Sequence, residues 1–244
     1  MKSPILFSNI GKDRSYKEVW DLQESLLKKN VSIKSTAFAE QENNASTLPE
    51  IAETTHYLLF VEHSPVYTLG KSGNENHVLI SPQMREEKGI EFFKINRGGD
   101  ITFHGPGQLV GYPILDLDKF KTDLGWYLRS LEEVVILTLE EYGLKGERSK
   151  GETGVWLDTN IKGRERKICA MGIRCSRWIT MHGFALNINT DLQYFNHIIP
   201  CGIQNKQVTS LAKELGREVS MNEVIEKMKR NFEKVFDAEI KNVE

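Results

Sequence analysis

The chain has 244 residues, 39% of them hydrophobic and 27% charged, and a net charge of −2. That length suits one large domain around one core rather than two, and the near-neutral charge excludes a dedicated nucleic-acid binder. The first residues lack the apolar core of a signal peptide and no later run reaches membrane-spanning length, so a cytoplasmic protein without a membrane partner is expected. Three cysteines, Cys169, Cys175 and Cys201, are too few for a disulfide framework, and no closely spaced pair of ligands such as C-x2-C suggests zinc. Free thiols and no metal are expected.

Ser15-Tyr16-Lys17-Glu18 reads as a capping box that opens a helix to about Lys29, with Val19, Leu22 and Leu26 as its buried stripe. The polar stretch at about 34–55 reads as a surface loop or insertion. Strand-like runs follow at 57–61, 66–69, 101–103 and 109–115. A long amphipathic helix is predicted from about Lys119 to Tyr142, with Leu124, Leu128, Leu131, Val135, Leu139 and Tyr142 on one face and Gly143 as its stop. Three more strands are expected at 154–157, 167–174 and 178–189, then a short helix from Ser210 to Leu215. Ser220-Met221-Asn222-Glu223 is a second capping box, opening a helix with Val224, Met228 and Val235 inward. With no internal repeat and no linker, the fold class is α+β: a mainly antiparallel or mixed sheet flanked by helices, in a single catalytic domain spanning 1–244.

Three segments carry candidate chemistry. In Ile199-Pro200-Cys201-Gly202-Ile203, proline and glycine set the thiol of Cys201 on a sharp turn, against the plain reading of a small buried hydrophobe. Residues 97–108 enclose a short alternating strand between two glycine-rich turns. Arg97 is suited there to a carboxylate or phosphate and His104 to a substrate hydrogen bond; a pair of tight turns with a satisfied histidine is the alternative. In residues 182–187, small residues beside Phe184 suit a narrow apolar channel with backbone N–H groups at its floor, unless Gly183 marks a bulge. Gly70-Lys71-Ser72 is not the tail of a P-loop, because Pro65 stands where that motif needs glycine. Cys169, Cys175 and His182 form at most a weak metal pattern.

Taken in order, Val66 to Gly70, Arg97-Gly98-Gly99 through Gly111-Tyr112-Pro113, Gly154-Val155-Trp156, Lys167-Ile168, Ala170-Met171-Gly172, His182 through Asn187 and the Cys201 turn resemble the lipoyl(octanoyl) transferase family over roughly residues 59–210. The resemblance implies the fold of biotin and lipoate protein ligases and transfer of an octanoyl group from octanoyl-acyl carrier protein to a lysine of lipoyl domains. It names as acceptors the lipoyl domains of 2-oxoacid dehydrogenase complexes and the glycine cleavage H protein. It assigns Cys201 as acyl-thioester nucleophile and Lys167 as its partner, with no cofactor. Substrate contacts are implied for Arg97, Gly98, Gly99, Asp100, Ile101, Thr102, Phe103 and His104, for Ala170, Met171 and Gly172, and for Gly183, Phe184 and Ala185.

An ordinary thiol, with a pKa of about 8.5, is only a few per cent thiolate near neutral pH. A protonated lysine about 4 Å away supplies up to ~4 kcal/mol at an effective dielectric near 20, before desolvation. Lowering the thiol by about 1.5 units needs only ~2 kcal/mol. A cysteine–histidine pair using His104 or His182 remains the alternative base, and Cys169, two residues from Lys167 on one strand, is a rival thiol for the same lysine. An ATP-dependent ligase on this fold and a non-catalytic carrier-binding module are the competing functions. Nine Lys or Arg against four acidic residues between Lys145 and Arg177 suggest steering of acidic partners.

Overall fold

The computed structural model describes residues 3–43, 52–199 and 207–243. Eleven strands and five α-helices are assigned among them. The main sheet has the order β10-β8-β9-β6-β2-β1-β11, with β7 on β8, and a second sheet has the order β4-β3-β5. The strands of the main sheet are β1 (Ser3–Arg14), β2 (His56–His63), β6 (Gln108–Ile114), β7 (Val155–Leu157), β8 (Arg166–Ser176), β9 (Ile179–Asn187), β10 (Gln207–Val208) and β11 (Ala238–Asn242). Those of the small sheet are β3 (Val66–Leu69), β4 (Glu91–Lys94) and β5 (Ile101–His104). Both sheets mix parallel and antiparallel pairs, as the α+β reading expects.

Alternation along the central strands sends residues to two cores. Leu58 and Phe60 of β2, Leu109 of β6, and Phe184 and Leu186 of β9 face helices α3 (Leu124–Glu140) and α5 (Met221–Phe236). Leu59, Val61, Val110, Tyr112, Ile179 and Met181 face α1 (Tyr16–Asn43). Period-two patterning thus buries both faces of the sheet. Ser220 caps α5 by accepting the Glu223 N–H, and Ser210 caps the short α4 (Leu211–Leu215), which ends at Gly216 with φ +68°, as the sequence predicts.

Three expectations change. Helix α1 continues to Asn43, so residues 34–43 of the predicted loop are helical; the rest of that segment lies largely outside the described residues. The extension is tied down by Lys34, which bridges Asp116 and Asp118 and donates to the carbonyl of Arg177. The stripe of α1 is Tyr16, Val19, Gln23, Leu27 and Asn30, while Leu22 is exposed. Two fully buried amides sit in that stripe because each is bonded: Gln23 accepts the backbone N–H of His182, and Asn30 pairs with both backbone groups of Thr55. Helix α3 starts at Leu124 rather than Lys119, because Asp123 caps it, and this leaves Leu124 exposed.

Candidate active site

A cavity of about 400 Å³ lies between β6, β8 and β9 of the main sheet and the 97–104 segment of the small sheet. Every residue predicted as a substrate contact lines it except Phe103. The Phe103 side chain enters a cluster where its ring stacks on Tyr194 at 4.4 Å. Phe103 therefore packs the small sheet instead of touching the cavity.

Glycines bring the two sheets together. Gly172 of β8 pairs with Gly183 of β9. A Cβ at Gly172 would stand 2.7 Å from the Gly98 carbonyl oxygen and 3.0 Å from Arg97 Cδ, and one at Gly183 would meet the Gly111 carbonyl and stand 2.7 Å from Pro113 Cδ. The bare strand face lets the Arg97 turn dock on β8, where the Gly98 N–H donates to the Ile173 carbonyl at 2.9 Å. The register of β9 against β8 is unbroken from Ile179 to Leu186, so Gly183 marks this close approach and not a bulge.

The irregularity lies in β8. Its pairing with β7 runs Val155 to Cys169, then Trp156 to Lys167, so one residue of β8 is extra. Ile168 and Cys169 consequently both enter the main core, each 0% exposed. The Cys169 thiol faces away from the cavity lined by Lys167, contacts the Ala170 carbonyl, and is pushed far above the usual thiol range by burial. A strand without the bulge would have put the two side chains on one face, and Cys169 is no rival thiol. Lys167 is half-buried, with its Nζ 4.6 Å from the ring centroid of Trp156, its partner across β7.

At the other end of β8 the cavity is lined largely by neutral polar side chains around Arg97. Its guanidinium donates to the Thr68 carbonyl at 2.8 Å, to Thr68 Oγ1 at 3.0 Å and to the Gly98 carbonyl at 3.0 Å. His104 stacks on Tyr16 and meets Gln108 Oε1 through Nδ1 at 2.8 Å; burial holds its pKa well below the usual histidine value. His63, bonded to the Tyr112 hydroxyl at 2.8 Å, is lowered to about 4 by burial. His182 is lowered to about 3 by burial, with the charges of Arg97 and Arg174 adding to it. It sits at φ +61°, strained for a non-glycine residue. Its Nε2 reaches Asn96 Oδ1 at 3.2 Å, and its buried Nδ1 has no partner among the described residues.

Cys201 lies outside the described residues, but both flanks of its segment are placed. Upstream, the Ile199 N–H donates to the His77 carbonyl at 2.9 Å. Downstream, Val208 of β10 pairs in parallel with Lys167 and lines the cavity. The sequence reading missed several lining residues: Tyr16, Tyr112, Leu128 and the loop 151–153. Tyr16 and Leu128 carried only helix signals, but the loop bore a clue in its glycines, Gly151 and Gly154.

Part of the basic excess of 145–177 is ion-paired within the fold. Lys145 pairs with Glu147, Arg148 with Glu132 and Glu133, Arg166 with Asp158 and Glu214, and Arg174 with Glu24. Lys150, Lys162, Arg164 and Arg177 of the same stretch are exposed. Among the described residues no helix is long and apolar enough to cross a membrane.

The family model for the lipoyl protein ligase A/B catalytic domain matches residues 15–233. Curated relatives include an octanoyltransferase of Christiangramia forsetii, 56% identical over 99% of both chains, and one of Flavobacterium johnsoniae, 54% identical over 98% of this chain and 100% of its own. Among solved structures, a bi-partite lipoate protein ligase from Thermoplasma acidophilum aligns over 100% of this chain and 88% of its own with a TM-score of 0.66 at 16% identity. Lipoate-protein ligase A bound with ATP aligns over 100% and 90% with the same score and identity. These two likenesses speak for the fold, and the relatives above half identity speak for the chemistry. The chain belongs to the octanoyltransferase family, acyltransferases built on the lipoyl protein ligase A/B catalytic domain.

Proposed function

We propose that the protein moves an octanoyl group from octanoyl-acyl carrier protein to a lysine of lipoyl domains through a thioester on Cys201, the first step of endogenous lipoate synthesis. The observation that carries this reading is the strand pairing at Lys167: β10, shortly downstream of Cys201 in the chain, runs directly beside that lysine, on the wall of the cavity.

Cys201 thiolate attacks the carrier thioester carbonyl. The new carbon–sulfur bond forms as the carrier sulfur leaves, taking a proton from the Lys167 ammonium. The acceptor amine then attacks octanoyl-Cys201, an amide forms, Cys201 leaves as thiolate, and the proton released from nitrogen returns to Lys167. Each step regenerates the charge the next one needs, and the thioester supplies the activation that a ligase draws from ATP. Val110, Leu128, Met171 and Phe184 offer the acyl tail an apolar lining. Burying about seven apolar carbons there gains roughly 5 kcal/mol before ordering costs.

His104 and His182 serve less well as bases in this reading. Ile173, opposite His182, lies six residues along β8 from Lys167, about 20 Å at ~3.3 Å per residue. The Thermoplasma lipoylation system pairs a bi-partite lipoate protein ligase with its E2 lipoyl domain, which supports lipoyl domains as the acceptor class here. Incubation with octanoyl-acyl carrier protein without ATP, followed by intact-mass measurement and peptide mapping, tests the proposal. One octanoyl group on Cys201, removed on adding a lipoyl domain, is the expected result. Acylation only with ATP, or on another residue, would overturn it.

A further inference from the structure

Asp100 lines the cavity, yet its carboxylate is occupied. Oδ1 accepts the backbone N–H groups of Ile101 at 2.8 Å and Asn74 at 3.2 Å, and Oδ2 is in contact with His77 Nδ1. A carboxylate holding three donors has little capacity left for a ligand. Its side chain instead reaches the one-turn 3₁₀ helix Glu75–His77, which Asn74 caps by accepting the Asn76 N–H at 3.0 Å.

That turn holds the described residues leading into Cys201. The His77 carbonyl accepts the Ile199 N–H at 2.9 Å, the Leu79 N–H donates to the His197 carbonyl at 2.9 Å, and Val78 bridges Ile198. Beneath them Ile198 is buried against the small sheet, in the cluster of Tyr67, Ile101 and Phe103. A continuous route of hydrogen bonds therefore runs from the cavity wall at Asp100, through the His77 side chain and carbonyl, to Ile199. Apolar packing alone lets a short extended segment slide along its bed, because the hydrophobic effect is non-directional. The charge-assisted bond from His77 to Asp100 fixes where His77 stands, and so where Ile199 is held.

We infer that His77, held by Asp100, is a positioning residue for acyl transfer: the pair sets the point at which the chain enters the Cys201 segment relative to the cavity wall. The inference rests on the assignment of Cys201 as nucleophile. A displacement of about 1 Å at a reacting atom costs on the order of a hundredfold in rate, so the tie acts on turnover more than on substrate binding.

The test compares His77→Leu with His77→Asn, whose amide N–H occupies nearly the place of Nδ1–H. A synthetic octanoyl thioester of N-acetylcysteamine serves as donor, and the amide hydrogen exchange of Ile199 is followed alongside that of β6 in the same sample. For His77→Leu the expected result is a kcat for Cys201 acylation lowered about ten- to a hundredfold with KM within about twofold. Ile199 exchange should accelerate while β6 exchange does not, and His77→Asn should recover both to within about threefold. Unchanged kcat in His77→Leu, equal losses in both variants, or lost turnover with unaltered Ile199 exchange would each overturn the tie. Cys201→Ala separates the two claims. If Cys201→Ala still forms the adduct, the nucleophile assignment fails, and the Ile199 exchange still judges whether His77 anchors the segment.

Discussion

The two ends of β8 handle charge in opposite ways. At Lys167 a cation is kept, half-buried against the indole face of Trp156 and beside β10. At Gly172 and Ile173 the strand faces His182, with His104, Tyr16 and Tyr112 nearby, and burial keeps these side chains in their neutral forms around Arg97. One end carries a lysine on a ring face, whereas the other has dipoles fixed in place, the arrangement that orients a substrate without titrating near neutral pH. Burial, more than residue type, makes the difference: histidine is ordinarily the side chain that switches near pH 7, and here burial keeps it neutral.

The largest test of this contrast removes the cation. Lys167→Ala should lower the rate of Cys201 acylation by roughly a hundred- to ten-thousandfold, measured by quenched mass spectrometry, with the unfolding midpoint nearly unchanged. A mild loss would move the chemistry to the histidine end.

Replacing the aromatic bed comes next. Trp156→Leu gives up a cation–π contact of about 0.5–2 kcal/mol, and so roughly two- to thirtyfold in acylation rate, while Trp156→Phe should retain most of it. If the two variants are equally slow, packing volume matters and the ring face does not.

At the neutral end the readout is stability against pH. His63 and His182 have folded pKa values of about 4 and about 3, below the ordinary 6.5, so on acidification the unfolded chain takes up protons first. Their stabilisation is complete above about pH 6.5 and is lost as pH falls toward 4, at up to ~1.4 kcal/mol per pH unit for each histidine. Denaturant titrations should show His63→Phe flattening that slope. A slope unchanged by the substitution would mean that His63 is not held neutral.

The smallest effect is expected at Cys169. Cys169→Ala should leave acylation within about twofold and cost about 1 kcal/mol of stability for the lost packing. An adduct lost in this variant would put the thiol back in the cavity.

Much of this was legible because glycine, proline and alternation mark short buried strands clearly. Residues 66–69, 101–104 and 108–114 read almost to the residue, and the glycine-bounded segment at 97–108 already pointed to the cavity. Strands β1 and β11 escaped because they mix charged and small residues with few buried ones: in β1 only Ile5 and Phe7 are buried. The far half of α1 escaped because it carries no apolar stripe, its hold being the Lys34 ion pairs made with residues distant in sequence. The fates of Lys167 and Cys169 were illegible for a sharper reason. A register slip of one residue inverts a strand's faces without altering its composition.

The bare glycine face of the main sheet has a consequence for how such a cavity changes shape through mutation. At Gly172 and Gly183 any added side chain collides with backbone or with Pro113, so this wall is intolerant of adjustment. Leu128 lines the cavity with a side chain carried on α3 instead of on the glycine-faced strands. Acyl length is therefore a trait expected to drift through the helix side of the cavity, with the sheet side acting as a fixed ruler against which each change at residue 128 is read.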